Sequence, residues 1–228
     1  MPTDALADWE RRFAVHLASA AANADAAHDV EHVRRVVANA RRLAAAEGAP
    51  LDVVIPAAWL HDCVHVPKSS PDRARASALA AAEAARLLGD WGYPSALIPH
   101  VAHAVEAHSF TAGIAPRTVA ARVVQDADRL DALGAVGIAR TLMLGGAMGR
   151  PLYDPADPFC ERRAPDDRAS TIDHFYTKLL HLADRMQTAA GRAEAERRTA
   201  TLHAFLDALR GELEAPFMDS LADAPSNA

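Results

Sequence analysis

Apolar residues recur at three- and four-residue steps along most of this chain. Leu6, Trp9, Phe13 and Leu17 predict an amphipathic helix over 4–22. After a break at "NADAAHD", Val33, Val36, Val37, Ala40 and Leu43 form one stripe of a second helix over about 27–46, ended by Gly48. The run "APLDVVIPAAWLHDC" is almost wholly apolar and predicts a central third helix that Pro56 either starts or kinks. "VPKSSPD" reads as a loop. "RARASALAAAEAARLLGD" reads as a fourth helix, stopped near Gly89 or Gly92, and "YPSALIPHVAHAVEAHS" as a fifth. "APRTVAARVVQDADRLDALGAVGIART" predicts a long sixth helix with a weak point at Gly134. A long loop over 145–170, rich in Gly, Pro and Asp, has the length of a functional lid. Two last helices follow, "TIDHFYTKLLHLADRMQT" and "AEAERRTATLHAFLDALRGELEA". Strand-like alternation and internal repeats are lacking. The pattern predicts an all-α, single-domain bundle of about eight helices. Its core spans about 25–190, with the helix over 4–22 and one over about 190–215 packed on it and a frayed tail over 223–228.

Composition narrows the functional classes. Half of the 228 residues are apolar, but only 5% are aromatic and alanine dominates, which favours close-packed helices over sheets. A net charge of −6 disfavours nucleic acid and anionic lipid as partners. The sequence shows neither a secretion-like start nor a membrane-length apolar run, so a cytoplasmic location is expected. Cys63 and Cys160 are expected to be free thiols.

Against this background the stretches "AHDVEHVRRV" (27–36) and "AAWLHDCVHV" (57–66) stand out. Each places His and Asp in apolar surroundings, where such groups are costly unless paired or bound to something. His28 and His32 lie four apart, on one helical face. His61 and Asp62 close an apolar run, either as an exit to solvent or as ligands to an ion set against the helix. In "VVQDADRLDALG", Asp126, Asp128 and Asp131 interrupt an otherwise apolar helix; Arg129 neutralises one of them, or a cation meets them. Imidazole and carboxylate donors together suit Mn, Fe, Ni, Co or Zn, and helices of a bundle can point them at one ion.

The order His, His-Asp, Asp on successive helices, with "WLHD" closing an apolar one, resembles the HD-domain metal-dependent phosphohydrolases. "DAAHDVEHVRRV", "EAHSF", "VVQDADRLDALGAVGIART", "GRPLYDP" and "DHFYTKLL" resemble the blocks of a branch of small, single-domain bacterial HD proteins. That branch includes a nucleotide pyrophosphohydrolase. The resemblance implies that His32, His61, Asp62 and Asp128 ligate a divalent metal ion (Mn favoured, with Co, Ni, Fe, Zn and Mg as alternatives). It also implies a small phosphorylated substrate, most naturally a nucleotide. The nucleoside-monophosphatase and alarmone-hydrolase branches carry HDxxE, but here the Glu position holds His65. For catalysis the expected groups are His108 and His103 near a helix end, with Asp131 orienting a ligand or water. For substrate binding they are Lys178 first, then His174, His65, Arg73 and Arg129, with Arg75 as a weaker cation. Alternatives on the same scaffold are a nucleoside monophosphatase, a metal-dependent oxygenase and a non-catalytic nucleotide sensor. The sequence leaves the oligomeric state open.

Overall fold

The computed structural model describes residues 3–64, 66, 70, 74–109 and 112–214, except 21–29. It is an all-α single domain. Among the described residues there are nine α-helices and no strand: α1 (Thr3–Ala20), α2 (Val30–Glu47), α3 (Leu51–Leu60), α4 (Ala76–Asp90), α5 (Ile98–Ala107), α6 (Val119–Leu130), α7 (Gly134–Ala147), α8 (Asp173–Thr177) and α9 (Ala189–Glu214). Two single 3-10 turns, Leu179–His181 and Ala183–Arg185, lie between α8 and α9.

The most apolar helix is the innermost. Val53 to Leu60 of α3 are all buried, and α3 packs against α1, α2, α5 and α6. The other helices bury one stripe each, as the periodicity predicts: Val33, Val36, Val37, Ala40 and Leu43 on α2, and Val123, Val124, Ala127 and Leu130 on α6. Pro56 lies inside α3 without ending it. Proline has no N–H, so the Asp52 carbonyl loses its intrahelical donor. The Tyr93 hydroxyl donates to that carbonyl at 2.6 Å.

The expected sixth helix is two. α6 and α7 meet at 63°, and Gly134 at the junction has φ +69°, a conformation natural to glycine. The expected helix over 171–188 is corrected to α8 and the two 3-10 turns. Lys178, at φ −139° and ψ −58°, leaves the helical region. The chain then turns so that Phe175, Leu179, Leu182 and Met186 all reach the core. The long loop runs from 148 to 172 and is held internally. Buried Asp157 accepts backbone N–H bonds from Glu161, Arg162 and Arg163 at 2.8–3.1 Å. Buried Asp173 takes both ends of the Arg163 guanidinium. Cys63 and Cys160 are free thiols. Among the described residues no single helix is long and apolar enough to cross a membrane.

Candidate metal centre

Three helix ends converge on one point. His32 comes from the first turn of α2, His61 caps the C-terminus of α3, and Asp128 lies in the last turn of α6. Both imidazoles are buried, whereas the side chains of Asp62 and Asp128 are 32% and 28% exposed. The rings thus form the floor and the carboxylates the rim.

The hydrogen bonds set the tautomers. His32 Nδ1 lies 2.7 Å from Asp131 Oδ2, and His61 Nδ1 lies 2.8 Å from the Ala58 carbonyl oxygen. Both partners are acceptors, so each Nδ1 carries the proton and each Nε2 presents a lone pair. Those two Nε2 atoms face each other at 3.3 Å. Asp128 Oδ1 lies 3.5 Å from the first and 3.8 Å from the second. Three lone-pair donors this close repel one another unless a cation sits among them. The circle through the three atoms has a radius of about 2.1 Å, the length of a bond from a divalent metal to imidazole nitrogen or carboxylate oxygen. Asp62 Oδ2 joins from the rim, 3.5 Å from His61 Nε2 and 4.0 Å from His32 Nε2. The donor set fits a divalent cation.

His108 extends the cluster. It caps α5, its Nδ1 donates to the Val105 carbonyl at 2.6 Å, and its Nε2 lies 3.5 Å from Asp62 Oδ1. His61, Asp62 and His108 form a second triad able to hold an ion. Burial opposes charge on both rings. In His61 burial prevails and the pKa falls; in His108 the Asp62 and Asp128 carboxylates outweigh burial and raise it to about 9.

Asp131 lies behind the centre, fully buried. Besides the His32 bond, it accepts from Arg35 Nε and Nη2 at 2.7 and 3.1 Å and from Arg140 Nη1 at 2.6 Å. Burial alone would raise its pKa, but His32 and the two arginines hold it down at about 2. Sequence reasoning missed both arginines. Arg35 was findable, because it lies three residues after His32 on the same face; Arg140 reaches Asp131 only through the bend between α6 and α7. Asp126 points elsewhere, to the backbone ahead of α9. It accepts from the N–H groups of Gln187 and Thr188 and from the Thr188 hydroxyl at 2.7–3.1 Å.

Of the expected substrate groups, Lys178 sits where Asp128 and Arg140 both act on its charge; burial lowers its pKa. His174 is held by Asp167 through Nδ1 at 2.9 Å, a partner that sequence reasoning also missed, and burial lowers its pKa as well. Arg129 donates to the Arg185 carbonyl. His103 is not gathered into the cluster. Its Nε2 accepts from the Arg117 backbone N–H at 3.1 Å, and burial together with that arginine lowers its pKa. Arg75 is exposed at the start of α4. His28, His65 and Arg73 lie outside the described residues.

Comparisons with known proteins point to the same family as the sequence resemblance. The model of the HD domain family matches residues 29–133. The uncharacterised protein YpgQ of Bacillus subtilis (strain 168) is 37% identical over 175 residues, 75% of this chain and 77% of that protein. The crystal structure of Bacillus subtilis YpgQ in complex with ADP aligns with a TM-score of 0.70 at 30% identity, covering 90% of this chain and 98% of that one. An HD-superfamily hydrolase from Bacillus thuringiensis aligns with a TM-score of 0.72 at 31% identity, covering 92% and 98%.

Proposed function

Because this chain belongs to the HD-domain superfamily, in the branch of small single-domain bacterial hydrolases, and is a metal-dependent phosphohydrolase, we propose that its substrate is a nucleotide and the bond it cuts a phosphoanhydride. The observation that carries the chemistry is the pair of imidazole Nε2 atoms 3.3 Å apart beside Asp128. What supports a nucleotide is that a relative covering almost the same fold was crystallised with ADP. Cleavage of a triphosphate into monophosphate and pyrophosphate is the product pattern to test first, and Mn the metal to test first.

His32, His61, Asp62 and Asp128 are the proposed ligands. A divalent cation bound there supplies hydroxide at neutral pH from its coordinated water and draws electrons from the phosphoryl group. The protein's own groups do the rest. Asp131 fixes His32 so that Nε2 faces inward. Lys178, with Arg140 beside it, meets the negative charge that spreads over the phosphoryl oxygens. His108, its Nε2 directed at Asp62, is positioned to hand a proton to the departing oxygen. His174, steadied by Asp167, contacts the outer phosphate. The segment 148–172, with Arg150 and Tyr153, forms the wall beside the nucleotide.

The test is release of phosphate and pyrophosphate from a nucleotide panel with Mn, Co, Ni, Zn or Mg. Wild type is expected to show metal-dependent release that Asp62→Ala abolishes. Release unchanged in Asp62→Ala would assign the activity to a contaminant. Turnover with redox-silent Zn or Mg separates hydrolysis from an oxygenase on the same scaffold.

A further inference from the structure

Behind the metal centre lies a second concavity that the hydrolase reading does not use. It has a volume of about 410 Å³, the size of a small-ligand site. α2 contributes Arg35, Asn39 and Arg42, α9 contributes Arg197, Arg198 and Thr201, and the start of α7 closes one side. Four arginines thus meet in a protein of net charge −6. Two carboxylates offset half of their charge: Asp131, paired with Arg35, and Glu194, paired with Arg197 and Arg198. Arg42, exposed at the rim, has no ion pair with the described residues.

A second feature of the cavity also calls for an anion. Gly134, Ala135 and Val136, the first turn of the 14-residue α7, line it. First-turn amides have no acceptor within their own helix. Leu133, the residue at the cap, offers no side-chain oxygen, and the first backbone bond back to the cap comes from Gly137. Three N–H groups and the positive end of the α7 dipole therefore share one space with the arginines. Arg guanidinium and helix-terminal amides are the donors that phosphate groups take in pairs.

We propose that this cavity is a binding site for small phosphorylated anions, separate from the metal centre. The separation follows from His32: Nδ1 meets Asp131, which lines the cavity, while Nε2 faces Asp128 on the other side of the ring. The His32–Asp131–Arg35 chain links the two sites.

The test is calorimetric titration of pyrophosphate and of ADP at 0.15 M salt with chelator-treated Asp62→Ala protein, which takes metal-dependent binding out of the signal. Pyrophosphate is expected to bind that protein. Adding Arg42→Glu or Val136→Asp is expected to weaken binding about tenfold or more, the loss of one charge-assisted contact. Val136→Asp guards against misfolding, since a carboxylate in the first turn of α7 favours the helix and leaves the melting temperature intact or higher. ADP bound more tightly than pyrophosphate assigns the occupant to nucleotides; the reverse order assigns it to inorganic anions. No binding to Asp62→Ala, or binding indifferent to both added substitutions, overturns the site while leaving the hydrolase reading untouched.

Discussion

Two aspartates two residues apart, Asp126 and Asp128, are expected to fail in opposite ways when truncated. Asp126 is fully buried, and its carboxylate receives the N–H groups of Gln187 and Thr188 and the Thr188 hydroxyl just before α9 begins. Asp126→Ala leaves the buried Thr188 N–H and the Thr188 hydroxyl without this acceptor, about 1–3 kcal/mol for each. Relief from burying a carboxylate, and any water that enters, recovers part of this. A net loss of about 3 kcal/mol corresponds to a fall in Tm of about 6–12 °C for a chain of this size. Asp128 is partly exposed and faces the imidazole cluster, with Lys178 also within reach of its charge. Asp128→Ala is expected to cost under about 1 kcal/mol in chelator-treated protein, yet to remove a corner of the metal triangle. The assay pairs thermal unfolding in chelator with Mn and Zn titration of the same proteins. Asp126→Ala should melt early and still bind metal; Asp128→Ala should melt near wild type and lose most metal affinity. A Tm within about 2 °C of wild type for Asp126→Ala, or weaker metal binding in Asp126→Ala than in Asp128→Ala, would refute the division of roles.

Other outcomes are equally concrete. Asp131→Asn should weaken metal binding about ten- to a hundredfold without changing the stoichiometry; unchanged affinity would mean that packing alone orients His32. Lys178→Met should lower kcat/KM about a hundredfold with metal content intact, and a smaller effect than that of Arg129→Met would move the phosphate elsewhere. Burial works to raise the Asp173 pKa, but Arg163 and the Asp166 N–H outweigh it and hold it below the usual range. That ion pair therefore stabilises fully above about pH 4 and fades as pH falls through the lower folded value. Asp173→Asn should accordingly melt lower than wild type at pH 7, and the gap should narrow in acid; a gap that widens would reverse the sign. A Cβ on Gly145 would collide with the Thr171 side chain, so Gly145→Ala should destabilise by about 1–3 kcal/mol. Adding Thr171→Ala should restore part of that loss, and strictly additive losses would mean the collision is not the cause.

Helices with a clean apolar stripe were legible from sequence, because burial of that stripe is what forms them. α1, α2 and α4 lie close to where the periodicity puts them. The tract after 171 was not. Its apolar residues keep a helix-like rhythm, but the Lys178 backbone leaves the helical region and the same residues reach the core through shorter turns. At the site, the resemblance to HD-domain proteins pointed to His32, His61, Asp62 and Asp128, and the fold gathers all four. The braces behind them, Arg140 above all, depend on a 63° bend that no local pattern encodes. Asp126 and Asp128 look alike in sequence and differ only in which way α6 turns them.

The stretch from 148 to 172 has almost no regular structure, yet Asp157 and Asp173 clamp it from within. A segment tied down in this way, bordering the nucleotide as proposed, would stand ready before any guest arrives. Little ordering entropy would then be charged to the encounter, and molecules would be sorted by the outline of a permanent doorway rather than by a gate that shuts behind them.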